Sequence, residues 1–170
     1  MRNDSATDQT VLAPWLAGAS TLLATARATW LITGGVDGTV HARPMGALRS
    51  EASGAWSMLY LTTVGSRKVA DIRRSGASIV IVQRNSDAFA TLGGMATVLD
   101  DATEVRRLWI TEYDGYFPTE QDRSNAALIK FEIKRMDLWI RGVTPEPFGF
   151  EPVSLELAED GQWRMGSDTP

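Results

Sequence analysis

Cysteine is absent from the sequence and histidine occurs once, as His41, and both shortages exclude whole classes of function. Without cysteine the chain has no disulfide, no iron–sulfur cluster and no thiol nucleophile. Zinc sites in proteins are built mainly from cysteine and histidine ligands, so the usual zinc motifs are excluded as well. We therefore expect no bound metal ion.

Positive charge and long hydrophobic runs are also scarce. Seventeen basic residues against twenty-one acidic ones give a net charge of −4, which repels nucleic acid, so we expect no nucleic-acid partner. The longest weakly polar stretch, residues 11–26, is too short and too polar to span a bilayer. The residues before it are mixed in charge, unlike the start of a secretory signal. We expect no membrane partner and a cytoplasmic location.

What the sequence does contain is typical of one globular domain, with 170 residues of which 44% are hydrophobic and 22% charged. Asp37-Gly38 is a strong hairpin signal. Short runs of β-branched and aromatic residues predict an antiparallel meander that closes into a barrel. These runs lie at 30–33, 39–48, 56–63, 78–83 and 89–99.

Helical patterns flank and interrupt these strands. Apolar residues at helical spacing predict an opening helix over 15–26, with Pro14 in its first turn. A second helix begins near Ser66, and a third follows Asp100-Asp101. The fold class is therefore mainly β, a β-barrel with flanking helices. The remaining predicted strands lie at 128–133, 136–140 and 153–157.

The segment most informative about function is Gly65-Ser66-Arg67-Lys68, where a strand runs into a glycine turn and then a helix. The start of a helix presents free backbone N–H groups and a positive dipole end, and two adjacent cations add charge for a phosphate. The segment therefore predicts a phosphate site. The alternative is an ordinary helix start with Ser66 as N-cap and both cations in solvent, although cations there oppose the helix dipole.

A second candidate segment is Arg43-Pro44-Met45, which has the texture of a strand but contains a proline that cannot donate to a central ladder. Its backbone is therefore partly free, and a flat ring ligand could lie along it, with Arg43 as a forked donor. The alternative is a bulged edge strand with Arg43 at the surface. His41 nearby is by itself more typical of a structural or surface histidine than of a catalyst.

Two other features bear on a ligand. Tyr116 and Phe117 fall in a predicted loop and are candidates to cover a ligand or a partner subunit. Gly93-Gly94 within a strand predicts a bulge or the close approach of another backbone. The sequence contains no dinucleotide fingerprint, no Walker A motif and no catalytic triad, so it names no catalytic residue.

Together these residues resemble a known family. The run from Leu61 to Lys68, preceded by Arg43-Pro44-Met45 and followed by the strand at 78–81, resembles the pyridoxamine 5′-phosphate oxidase-like flavoproteins, which have the FMN-binding split barrel. Tyr116-Phe117-Pro118 and Leu138-Trp139 are similar to the branch called general stress protein 26. The resemblance covers about residues 12–140.

The resemblance implies a homodimer of split barrels with FMN bound at the subunit interface, FAD or a deazaflavin being the alternative cofactors. Ser66, Arg67 and Lys68 would hold the FMN phosphate, and Leu61 and Thr62 would line the ribityl and phosphate end. Beside the isoalloxazine ring would run Arg43, Pro44 and Met45, continuing to Leu48. A wall facing the ring would come from Tyr116 or Phe117.

The chain departs from the true pyridoxamine phosphate oxidases in lacking the glutamine that opens the strand near Ala88 and the Arg-x-His near the C-terminus. Oxidation of pyridoxamine phosphate itself is therefore not expected. We expect an FMN-dependent oxidoreductase that acts on an unidentified small molecule. The alternative is a flavin-binding stress protein that stores or senses the cofactor without specific turnover. A cofactor-free interaction module is disfavoured by the acidic charge.

The expected domain organisation follows from these segments. Residues 1–9 are polar and predicted to be flexible, and residues 10–140 form the flavin-binding domain. Residues 141–170 form a C-terminal extension that packs on the barrel or on the partner subunit.

Overall fold

The computed structural model describes residues 4–46 and 56–166, with side chains from residue 10 onward. These residues form antiparallel strands flanked by helices, which confirms the mainly β fold class. The helices are α1 (Asp4–Thr25), α2 (Arg67–Arg74), α3 (Ala102–Arg107), a 3-10 helix (Thr111–Gly115) and α4 (Glu120–Ser124). The strands are β1 (Ala28–Gly34), β2 (Val40–Gly46), β3 (Ser57–Thr63), β4 (Ala77–Arg84), β5 (Ala88–Leu99), β6 (Ala126–Ile140), β7 (Val153–Leu157) and β8 (Trp163–Met165).

The sheet is organised around β6. One edge of β6 pairs with β5 along its length, while its other edge is shared by β3 in the N-terminal half and β7 in the C-terminal half. The path β2-β1-β4-β5-β6 curves until β2 approaches β3. The predicted meander is therefore wrong in its order, because β1 pairs with β4 across the sheet and β3 pairs with β6.

Alternating side chains explain why the strands form where the sequence predicts them. In β4 every second residue is buried, and Val80 and Val82 lie in the core with Leu31 of β1. The five predicted early strands are all present with slightly shifted ends. For the strand predicted at 39–48, residues 47 and 48 lie outside the described residues.

The opening helix differs from its prediction. Pro14 lies inside α1 rather than in its first turn, because the helix begins at Asp4. A proline inside a helix costs about 3 kcal/mol or more. Leu12, which precedes it, is buried in the core with Leu22, so packing on both sides of Pro14 offsets that cost.

Two predicted strands, 128–133 and 136–140, prove to be the single strand β6. The register against β5 shifts between Gly93 and Gly94, so Lys134 is an extra residue and the strand continues past it. This confirms the bulge predicted from the glycine pair. The region predicted as a loop around Gly115 contains the 3-10 helix and α4, whose capping box at Thr119 and Asp122 stabilises only one short turn.

The chain after β6 extends the sheet. β7 pairs with β6 and β8 pairs with β7, and the Trp163 ring packs edge-on against Trp56 at 5.3 Å between ring centroids. The predicted domain boundaries at residues 10 and 140 stay predictions. Among the described residues, no helix has both the length and the apolar character needed to cross a membrane.

Substitution of Gly94 tests the close approach at the bulge. A Cβ at Gly94 would lie 2.1 Å from the Glu132 carbonyl oxygen, whereas one at Gly93 would lie 3.7 Å from its nearest neighbour, the Cβ of Arg135. We expect Gly94→Ala to lower the free energy of unfolding by about 1–3 kcal/mol, since backbone must shift. The matched control Gly93→Ala should keep or slightly raise it. Urea unfolding measures both, and equal effects would contradict the register.

Candidate functional site

The first candidate segment lies where β3 ends and α2 begins. Ser66 occupies the N-cap position, but its side chain accepts no hydrogen bond from the helix. Its hydroxyl instead lies 3.1 Å from the Thr62 hydroxyl on the neighbouring strand end. The first N–H groups of a helix have no partner inside it. The start of α2 is therefore left open for an acceptor from outside, and the alternative of a side-chain-capped helix is wrong in that respect.

Three cations influence one another at this helix start. Burial lowers the pKa of Lys68, and the positive charge of Arg43 lowers it further. Burial also lowers the pKa of Arg43, against the effect of Asp71, and the charge of Arg67 adds to the lowering. The structure thus places Arg43 from β2 within electrostatic range of Arg67 and Lys68 from α2. In the described ranges 4–46 and 56–166, neither Arg67 nor Lys68 forms an ion pair with a carboxylate.

Strand β2 supplies the second candidate segment. Its ladder partner is β1, so it lies at an end of the sheet path and tolerates Pro44, as the edge-strand interpretation predicted. Met45 is buried in the core on the same face as Arg43, and Pro44 points to the opposite, exposed face. The interpretation of Arg43 as a surface residue is wrong, because its side chain is only 19% exposed.

The sequence analysis missed the residue that holds Arg43, which is Asp71. Its Oδ2 atom accepts a hydrogen bond from the Thr33 hydroxyl at 2.7 Å and lies 2.9 Å from Nδ1 of His41. The Arg43 guanidinium donates to the Thr33 hydroxyl at 2.7 Å and reaches Oδ2 at 3.4 Å. One signal could have revealed it: Asp71 directly precedes Ile72, which helical periodicity places inward, and it is buried with Val69 and Ile72.

The environment of Asp71 keeps it ionised. Burial of the carboxylate acts to raise its pKa, but hydrogen bonds from His41 and Thr33 and the charges of His41 and Arg43 outweigh burial. The pKa of Asp71 therefore lies below its ordinary value of 3.8. One negative charge is thus fixed beside Arg43.

The remaining predicted site residues lie on a neighbouring surface. Leu61 packs against a small cluster that includes Phe117 and Val105, on the opposite face of β3 from Thr62. Phe117 is buried, and its ring meets Trp109 edge-on at 6.1 Å. Tyr116 is exposed. Within one chain the structure therefore joins Leu61 to Phe117 and leaves Tyr116 facing solvent.

The described residues contain no cluster of side chains suited to a metal ion. Over residues 4–46 and 56–166, no three side chains of histidine, aspartate or glutamate are grouped so that they could hold a metal ion. The polar groups that do converge are the three cations, the Asp71 carboxylate and the open helix start. Such a set favours an anion over a metal cation.

Comparison with known proteins decides the family. The family model described as pyridoxamine 5′-phosphate oxidase like matches residues 19–148, most of the chain. The chain belongs to the pyridoxamine 5′-phosphate oxidase-like family. The resemblance seen in the sequence is therefore confirmed at the level of the family, and the matched region contains both candidate segments. No curated protein is similar enough in sequence to count as a relative.

Solved structures confirm the split-barrel fold of this family member. A Clostridium acetobutylicum protein related to general stress protein 26 has a TM-score of 0.69 at 14% identity, over 84% of this chain and 94% of its own. A pyridoxamine 5′-phosphate oxidase-related, FMN binding protein from Nostoc punctiforme has a TM-score of 0.66 at 13% identity, over 100% and 98%. An F420 reductase has a TM-score of 0.54 at 17% identity, over 69% and 94%.

Acid titration tests the buried carboxylate. Since the pKa of Asp71 is lowered by folding, its ionised form stabilises the protein above pH 3.8, and this contribution is lost as the pH falls through the lower folded pKa. We expect Asp71→Asn to be less stable than the unsubstituted protein at neutral pH. The difference should shrink as the pH is lowered toward about 3, as measured by urea unfolding.

The matched control is Asp100→Asn, which removes an exposed carboxylate that pairs with Arg73 at the surface. Exposed ion pairs contribute little to stability, so this variant should unfold almost as the unsubstituted protein does. A difference between Asp71→Asn and the unsubstituted protein that stays constant from neutral to acidic pH would contradict the assigned ionisation.

Proposed function

We propose that this protein binds FMN, with the cofactor phosphate at the start of α2. The observation on which the proposal rests is the group of Arg43, Arg67 and Lys68 beside a helix start that no side chain caps. Backbone N–H groups and a positive dipole end favour a phosphate there, and charge-assisted hydrogen bonds from Arg and Lys are the stronger kind. The FMN-binding neighbour with the same fold supports this cofactor.

The charges at the site fit a terminal phosphate. Arg43 is offset by Asp71, so the three cations exceed the nearby carboxylate by two positive charges (three minus one). A phosphate monoester has close to two negative charges at neutral pH. Burial lowers the pKa of Lys68, and the charge of Arg43 lowers it further; the binding of such a dianion would relieve this repulsion.

From the phosphate held with Arg43, the ribityl chain and the isoalloxazine ring would extend along the exposed edge of β2, beside Pro44. When bound, FMN supplies two-electron redox chemistry, and the chain's own residues bind and orient it. We therefore propose an FMN-dependent oxidoreductase for an unidentified small molecule. An F420 reductase shares the fold, so a deazaflavin is the cofactor to test beside FMN and FAD.

A second function, storage or sensing of the flavin without specific turnover, is favoured by one observation. His41, the single histidine of the chain, is committed through Nδ1 to the Asp71 carboxylate that also contacts Arg43. Steady oxidation of NADH or NADPH by the flavin-loaded protein, coupled to a small-molecule acceptor, would exclude this second function. Reduction of bound flavin without turnover would favour it.

We also propose that two copies of the chain pair through the outer face of β1, β4 and β5. Trp30 and Ile81 are directly opposite one another in the register and are exposed, as are Ile79 and Met95 beside them. Pro44 lies opposite Trp30 on the other side, so this apolar face continues to the predicted flavin segment. A contiguous exposed apolar face of this kind is typical of a protein interface.

Removal of the two helix-start cations tests the phosphate site. We expect Arg67→Ala/Lys68→Ala to weaken FMN binding about a hundredfold, because each lost charge-assisted bond contributes about 1.5 kcal/mol or more. Riboflavin, which has no phosphate, should bind both proteins with nearly equal affinity. Quenching of flavin fluorescence measures each affinity.

The control for this variant is Arg73→Ala, which removes a cation from the last turn of the same helix. It should bind FMN as the unsubstituted protein does. Unchanged FMN affinity in the folded double variant would refute the assigned site, and retention of FAD or a deazaflavin in place of FMN would refute the choice of cofactor.

A charge on the apolar sheet face tests the dimer. Ile79→Glu places a carboxylate in the middle of the face, and a buried unpaired charge opposes association. We expect this variant to be a monomer in light scattering after size exclusion, where the unsubstituted protein is a dimer. Val36→Glu, at the exposed tip of the β1–β2 hairpin, is the control and should stay dimeric. A monomeric unsubstituted protein would contradict the proposal.

A further inference from the structure

We propose that Asp71 and Thr33 are positioning residues that hold the Arg43 guanidinium in its ligand-binding orientation. The geometry comes from the chain itself, and the choice of ligand rests on the proposed function. Asp71 is 3% exposed and Thr33 1% exposed, so neither is placed to touch a bound flavin directly. Both act through Arg43.

Arg43 is held at two nitrogen atoms. One terminal nitrogen donates to the Thr33 hydroxyl at 2.7 Å, and the other faces Oδ2 of Asp71 at 3.4 Å. A guanidinium has five N–H donors in a rigid plane. Two contacts therefore fix the plane and leave three donors for a ligand.

Thr33 links the two ends of this arrangement. Its hydroxyl accepts a hydrogen bond from Arg43 and donates one to Asp71, each at 2.7 Å. One hydroxyl therefore connects the guanidinium to the carboxylate. His41 Nδ1 holds the same carboxylate oxygen from another side at 2.9 Å. Three groups from β1 and β2 thus converge on one oxygen atom of α2, and the carboxylate cannot rotate without losing all of them.

The anchor connects the two halves of the proposed phosphate site. Asp71 belongs to the helix that begins with Arg67 and Lys68, whereas Arg43 belongs to β2. The contact therefore sets the distance between Arg43 and the helix start. A long arginine side chain that is already fixed loses less conformational entropy when a ligand binds.

Positioning and simple charge make opposite predictions for Asp71. If the carboxylate acted only through its charge, its removal would leave more positive charge at the site and tighten the binding of a phosphate. If it positions Arg43, its removal weakens binding although the net charge becomes more favourable. Thr33 is uncharged, so its substitution removes part of the anchor without changing the net charge of the site.

The experiment is a double-mutant cycle on FMN affinity with Thr33→Val and Arg43→Met. Thr33→Val keeps the shape of the side chain and removes the hydroxyl, and we expect it to weaken FMN binding about tenfold. In the Arg43→Met background the same change should alter FMN affinity by no more than about twofold, because Thr33 acts through Arg43. Asp71→Asn should weaken FMN binding by about tenfold as well.

Two variants guard against a general loss of structure. Thr33→Ser keeps the hydroxyl and should restore FMN affinity to within about twofold of the unsubstituted protein. Thr97→Val makes the same change at an exposed site on β5 and should leave FMN affinity unchanged. Thermal unfolding followed by circular dichroism shows which variants are folded.

The proposal is overturned if Thr33→Val leaves FMN affinity unchanged, if it costs the same tenfold in the Arg43→Met background, or if Asp71→Asn tightens binding. If the unsubstituted protein binds no flavin, the proposed function fails by itself. The anchor is then decided in the free protein by the nitrogen-15 NMR signals of the Arg43 guanidinium, assigned with Arg43→Lys. Signals that broaden or vanish in Thr33→Val support the anchor, and unchanged signals overturn it.

Discussion

The pairing of β6 on both its edges is the constraint on which the rest of this molecule depends. β5 takes one edge, and β3 and β7 divide the other between them. Because β3 is bound to the first half of β6, its end delivers the chain into α2 beside β1. The site therefore lies at a break in the hydrogen-bonded sheet. A change of register in β6 would displace the elements that carry its residues.

Charge at the site is balanced locally rather than over the whole chain. The protein has a net charge of −4, yet three cations meet at the start of α2. Their mutual repulsion opposes folding, and the buried Asp71 compensates only one of them. A protein that keeps such an arrangement stores electrostatic free energy that an anionic ligand can release.

The strands and the helix start at Ser66 were largely predictable from the sequence. Alternating apolar residues identify β1, β4 and β5, and Gly65-Ser66-Arg67-Lys68 identifies a helix start with unusual cations. The order of the strands was not predictable. The sequence predicts neighbours along the chain to pair, whereas β1 pairs with β4 and β3 with β6. Pairing between strands that are far apart in the sequence depends on which sheet faces the helices cover. No local sequence pattern specifies those faces.

The sequence by itself determined the type of fold and, through its resemblance, the family, and it singled out the segment that is proposed to bind phosphate, because periodicity and helix-start chemistry are local properties of the chain. Only the tertiary structure decided which groups hold the Arg43 guanidinium. Arg43, Thr33 and Asp71 lie on three different elements, and no spacing in the sequence relates them. Their contact exists because α2 packs against β1 and β5 and buries Asp71, where a carboxylate must find donors to stay ionised.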